Sequence, residues 1–286
     1  MKALIKSMRL RTLPLSLAGV VCGGFLARGA HGGSCWVLAL TMLTACLLQV
    51  LSNLSNEMGD YRNGVDGVDR QGPAYGMANG LTEKQLWNAI NTVVVLTAFS
   101  GLAMLLFSFQ FSILNFQFLI LLFLGAAAIW AATHYTLGKK PYGYIGLGDL
   151  FVFIFFGLVS VLGSYFVVAH TVDFKMWLIA PAVGMGLLSV AVLNVNNIRD
   201  IETDRGVRKT VPLRIGERWA RWYQTALVVV GYALFLLGNG SWWPVATAAF
   251  FGWHLYVVWH CRGRRLDPAL PLLVLATFAT AVLYLI

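Results

Sequence analysis

The chain has 286 residues, a formal net charge of +9, 58% hydrophobic residues and only 12% charged ones, with a mean hydropathy of +0.72. So few charges cannot cover a water-soluble domain of this size, which excludes the ordinary soluble classes and points to a membrane protein. The excess of positive charge calls for no nucleic acid, because basic loops orient a membrane chain and attract anionic lipid.

Apolar runs long enough to cross about 30 Å of hydrocarbon predict nine spans. The expected fold is therefore all-α, a polytopic membrane helical bundle with nine transmembrane helices in one domain over 1–286. The first span, near 13–29, follows Lys2, Lys6, Arg9 and Arg11. It reads as an uncleaved first helix and not as a signal peptide, because more membrane follows it. The second, near 34–55, runs into Asn53, Asn56, Glu57 and Asp60, and a Gly-rich loop with Asp66 and Arg70 follows. Spans three and four, near 86–108 and 113–133, end in a turn holding Tyr135, Lys139 and Lys140. Spans five and six, near 149–169 and 177–198, lead to Asn196, Asp200 and Asp204, interleaved with Arg199, Arg205, Arg208 and Lys209. Spans seven to nine, near 219–238, 243–261 and 269–286, carry little charge apart from the basic residues at their ends.

Charge placement tests this parse. Nine spans put 19 of the 21 Lys and Arg on the side of the N-terminus, leaving only Arg28 and Lys175 opposite. The positive-inside rule then places the N-terminus in the cytoplasm and the C-terminus outside, and the expected location is the cell inner (cytoplasmic) membrane. Eleven of the 12 acids, all but Asp173, share the cytoplasmic side, a bias that the rule does not require. Cys22, Cys35, Cys46 and Cys261 lack ligand spacing and read as small apolar fillers.

The acids that remain to be explained fall in two constellations. Asn56 and Asp60, and then Asn196, Asp200 and Asp204, are spaced i, i+4, so each set shares a helical face. The sets lie 140 residues apart, which suggests a duplication of four spans plus four, with the ninth appended. Two carboxylates about 5.5 Å apart repel by roughly 3 kcal/mol at an effective dielectric near 20, so a partner must offset them. Mg²⁺ suits such a site, with one or two carboxylates and substrate phosphate oxygens in its shell. Nearby Lys139, Lys140, Arg62, Arg70, Arg199 and Arg205 supply the cations of a diphosphate site. Asp69, Glu83, Glu217, Arg214, Arg218 and Arg221 read instead as solvated ion pairs of helix ends.

These motifs resemble the UbiA superfamily of intramembrane aromatic prenyltransferases over nearly the whole chain, and within it the branch that acts on 1,4-dihydroxy-2-naphthoate. The resemblance rests on Asn56-x-x-x-Asp60, on Asn196-x-x-x-Asp200-x-x-x-Asp204 and on Tyr135-x-x-x-Lys139. The stretches Arg9–Pro14, Gln49–Asn56, Gln71–Pro73 and Tyr142–Asp149 add to it. It implies Mg²⁺ held by Asn56, Glu57, Asp60, Asn196, Asp200 and Asp204, and a polyprenyl diphosphate donor neutralised by Lys139 and nearby arginines. It further implies a naphthoate acceptor held by Arg9, Arg11, Tyr135 or Lys209, and Asp66 or Asp204 as a base. The common first motif has acids at 57, 60 and 64; here Gly64 stands at the last, and Asp66 is the next acid. An enzyme acting on 4-hydroxybenzoate, or a transporter of cations or lipid, is the competing expectation.

Overall fold

The computed structural model describes residues 2–64 and 73–286. Among them every regular element is helical, in keeping with a chain that must satisfy its backbone within each segment when water is absent. The elements are α1 (Lys2–Met8), α2 (Leu13–His31), α3 (Cys35–Arg62), α4 (Glu83–Ser108) and α5 (Phe116–His134). There follow α6 (Gly148–Val152), a π-helical stretch (Phe153–Gly163), α7 (Ser164–Ala169), α8 (Met176–Arg199), α9 (Val211–Ile215) and α10 (Glu217–Gly238). Last come α11 (Ala248–His260) and α12 (Ala269–Leu283).

Local chemistry sets the helix starts. Ser34 caps α3, Asn115 caps α5, and Thr82 with Gln85 forms a reciprocal capping box at α4. Among the described residues eight helical stretches have the length and apolarity to cross a bilayer, and the protein is a multi-pass membrane protein. The ninth expected span, 243–261, is a helical run from Trp243 to His260. It falls short of that standard because Trp243, Pro244, Trp253, His254, Trp259 and His260 dilute its apolar residues.

α8 forms the centre of the bundle. It packs on α10, on the π-helical stretch and on α2 and α12, and small residues let the backbones approach as in other membrane bundles. A Cβ on Gly157 would lie 2.6 Å from the Cα of Gly186, so the π-helical stretch and α8 touch backbone to backbone. At the periphery, Phe99, Phe116 and Phe123 on α4 and α5 are exposed, as expected where lipid is the solvent. The four cysteines are free thiols.

Candidate active site

Helices α3 and α8 end at the same end of the bundle and face one another across a cavity of about 440 Å³. Its polar end is lined by Asn56, Asp60, Asn196, Asp200 and Asp204. The two i, i+4 sets thus line one cavity. Leu121, Leu124, Phe151, Phe155 and Val159 line the apolar remainder. The π-helical stretch supplies part of that wall, where the wider turn displaces side chains from α-helical register.

The two acid sets are joined by Arg208. Its guanidinium bonds Asp60 Oδ1, its Nε lies 3.6 Å from Asp204 Oδ1, and it stacks 4.8 Å over the Tyr144 ring. Tyr144 donates its hydroxyl hydrogen to Asp60 Oδ1 at 3.0 Å. Burial alone would lower the Arg208 pKa, but the facing Asp60 and Asp204 carboxylates outweigh it, so the group is held protonated. Burial raises Asp204 to about 6; Arg208 pulls it down, while Asp200 and Asp60 push it further up. Asp204 Oδ2 is buried with no hydrogen-bond partner. Arg199 is buried as well, with its Nε and Nη2 on the two oxygens of Asp200 at 2.8 and 2.6 Å, and further bonds to Asn196 Oδ1 and Asp267 Oδ1.

A second wall comes from the N-terminal segment. Asn53 donates to Met8 O and Thr12 Oγ1, at 2.9 and 3.0 Å, and so ties the turn at Arg9 to α3. Arg9 takes a left-handed conformation, φ 48° and ψ 50°, which is costly for a side-chain-bearing residue and is found where surroundings enforce it. Its guanidinium lies 3.8 Å over the Tyr75 ring, with Nε and Nη2 buried and unpartnered. Arg11 donates to the Tyr75 hydroxyl at 2.9 Å, and all three residues line the cavity. Tyr135 lines it too, and burial, partly opposed by Arg208, raises its hydroxyl to about 12. At α3 a Cβ on Gly59 would come 2.6 Å from Thr136 O, so glycine there lets the loop after α5 close on the first acid set.

Several expected site residues lie elsewhere. Glu57 is buried but turned away from the cavity, and its Oε1 accepts the Met77 N–H at 2.6 Å. At about 100° per residue Glu57 lies at the edge of the face of Asn56 and Asp60, and the turn at Met77 packs on that edge and takes its carboxylate. Lys139 and Lys140 are exposed on a turn and do not line the cavity. Arg62 bonds Glu83 through Nε at 2.8 Å and lies over Trp87, while Arg205 pairs with Glu202 in solvent. Lys209 meets the loop after α5 through its backbone N–H to Tyr144 O, and its side chain is not among the cavity walls. Asp66 and Arg70 lie outside the described residues. Conversely, the bridging place of Arg208 and the parts of Tyr144 and Tyr75 were missed; the available signal was Arg208 continuing the i+4 series beyond Asp204.

Among the described residues no three acid, histidine or cysteine side chains converge tightly enough to hold a metal alone. A hard cation completed by phosphate and water fits this better than a closed protein cage, and the unpartnered Asp204 Oδ2 offers such a cation a ligand.

Residues 16–277 match the model of the UbiA prenyltransferase family. The chain belongs to that family. A similar relative is 1,4-dihydroxy-2-naphthoate octaprenyltransferase of Escherichia coli, 42% identical over 240 residues, which are 83% of this chain and 76% of that one. The protein of the same name from Mycobacterium tuberculosis is 38% identical over 247 residues, 84% of this chain and 80% of that one. The apo structure of a UbiA homolog from Aeropyrum pernix K1 shares the fold, with a TM-score of 0.71 at 16% identity over 96% of this chain and 97% of that one.

Proposed function

We propose that this family member transfers a polyprenyl group from polyprenyl diphosphate to 1,4-dihydroxy-2-naphthoate, releasing diphosphate and CO₂, in menaquinone biosynthesis. The observation that carries the reading is a single cavity that opposes the acid ends of α3 and α8 and continues into an apolar channel. The 38–42% identity to relatives of that name supports the choice of acceptor. The chain sits in the inner membrane with its N-terminus, and hence the acid motifs, on the cytoplasmic side where the water-soluble acceptor is available.

Mg²⁺ would be held by Asn56, Asp60, Asn196, Asp200 and Asp204, and it supplies charge neutralisation for the departing diphosphate. The protein does the rest. Arg208 and Arg199, already oriented by Asp60, Asp204 and Asp200, offer N–H groups to the diphosphate oxygens as charge develops there. Lys139 and Lys140 stand on the neighbouring turn and reach the donor only if that turn closes on it. The allylic carbon–oxygen bond breaks with its electron pair going to the diphosphate, and the walls of Phe151, Phe155 and Val159 keep water from the cation. Arg9 and Arg11 hold the acceptor's carboxylate against the Tyr75 ring, with the unpartnered Arg9 N–H groups as its donors. A ring carbon then forms the new bond to the prenyl group, and CO₂ leaves with its bonding pair returned to the ring. The product is demethylmenaquinol, the reduced form of demethylmenaquinone. Asp204, or Asp66, draws on the ring hydroxyl proton and raises the ring's nucleophilicity.

The test is product mass. Purified protein, Mg²⁺ and a polyprenyl diphosphate should give the prenylated, decarboxylated naphthalene, and no comparable product from 4-hydroxybenzoate. The reverse preference would remove the proposed acceptor.

A further inference from the structure

At the end of the bundle that holds the acid motifs, a second cavity of about 370 Å³ lies between the start of α10 and the end of α11. It shares no lining residue with the first. Its walls are Glu217, Arg218, Arg221, Trp259, His260, Cys261 and Arg262.

The charges do not cancel. Arg221 is buried and committed: it bonds the carbonyls of Val258 and Cys261, which close α11, and Glu217 Oε1 at 2.6 Å. Glu217 also faces Arg262 Nε at 3.2 Å. One carboxylate therefore answers three guanidinium groups. Arg262 is 82% exposed, and Arg218 has no hydrogen bond or ion pair among the described residues. α10 also begins without a side-chain cap, so its first-turn N–H groups add partial positive charge.

The surroundings decide what kind of anion fits. Trp219, Trp222 and Tyr256 are exposed on the same two helices; Trp222 meets the lining residue Trp259 edge-on at 4.9 Å, and Tyr256 stacks on the lining residue His260 at 4.2 Å. Such amphipathic rings mark the level of lipid headgroups. Further along the same helices Val229, Val230, Phe250 and Trp253 are exposed, an apolar surface suited to acyl chains. A free phosphate would use the arginines but neither the aromatic rim nor this surface.

We propose that this cavity binds the phosphodiester headgroup of an anionic phospholipid, with Arg218 and Arg262 as its contacts. Basic pockets between helices at the cytoplasmic interface are suited to such headgroups. The test is native mass spectrometry of the detergent-purified full chain with phosphatidylglycerol or phosphatidylcholine. Phosphatidylglycerol should be retained preferentially, and the Arg218→Gln/Arg262→Gln double variant should weaken that retention about thirtyfold, from two surface guanidinium contacts. Arg218→Lys/Arg262→Lys should keep most of it, and an unchanged melting temperature of the glutamine variant without lipid shows that the fold is intact. Equal retention by wild type and the glutamine variant would overturn the proposal. So would displacement of the bound lipid by glycerol phosphate at equal concentration.

Discussion

Replacing Arg208 with glutamine removes the one cation that, among the described residues, pairs with both Asp60 and Asp204. Both carboxylates are buried, at 6% and 2% exposure, so solvent cannot screen the loss. Breaking a buried ion pair by removing one partner destabilises by about 3–5 kcal/mol. The metal-free variant should therefore melt at lower temperature than wild type in detergent. Mg²⁺ should restore much of the difference, since a dication compensates the same two carboxylates. Stability and chemistry then separate. With Mg²⁺ present, the variant still lacks a donor to the diphosphate, and losing one such donor is worth roughly 10²–10³ in kcat. Thermal unfolding with and without Mg²⁺, together with kcat and KM for the donor, measures both effects. Wild-type turnover in Arg208→Gln, or a melting temperature that Mg²⁺ does not recover, would refute the reasoning.

Asp204 is raised to about 6, and a ligand carboxylate must lose its proton to bind metal. The Mg²⁺ concentration for half-maximal activity should therefore be flat above pH 7 and rise about tenfold per unit as pH falls below 6; a flat profile down to pH 5 would remove Asp204 from the ligand set. Without metal the sign reverses, because a raised carboxylate pKa means that the folded state prefers the proton, so apo stability should fall as pH rises from 4 to 7. Glu57→Ala should destabilise by about 1 kcal/mol by removing the acceptor of the part-buried Met77 N–H and raise the acceptor KM through Tyr75, leaving the Mg²⁺ requirement unchanged. Lys139→Ala, on an exposed turn, should cost less than the Arg208 change by at least about tenfold in kcat/KM for the donor; parity between the two would place Lys139 at the diphosphate.

The fold and the site were legible to different depths. Helix count and motif placement follow from composition and from a spacing of four, and both are properties of the chain alone. Asn56 and Asp60, like Asn196 and Asp200, reach the cavity because the i, i+4 rule places them on one face. Glu57 did not follow, since its neighbours in sequence cannot say which side of α3 meets the turn at Met77. Lys139 was placed by motif, but the turn at Gly138, with φ 102°, sets its direction, and a backbone reversal leaves no spacing to read. Arg208 is bound to Asp60, 148 residues earlier. Such a contact is tertiary: the i+4 series leads from Asp204 to Arg208 but says nothing of Asp60. The π-helical register of Phe153–Gly163, which meets α8 closely at Gly186, is likewise hidden in a uniformly apolar run.

In the proposed function the acid ends of α3 and α8 act together on a prenyl diphosphate. The most direct measurement is prenylated naphthalene formed per enzyme as Mg²⁺ is titrated, in wild type and in Asp60→Asn and Asp200→Asn. Mg²⁺-dependent product is expected from wild type, and a loss of at least about a hundredfold per folded enzyme in each variant, beyond the lowered melting temperature that follows from stranding Arg208 or Arg199. Product at the wild-type rate from either variant, or from wild type without divalent metal, would contradict it.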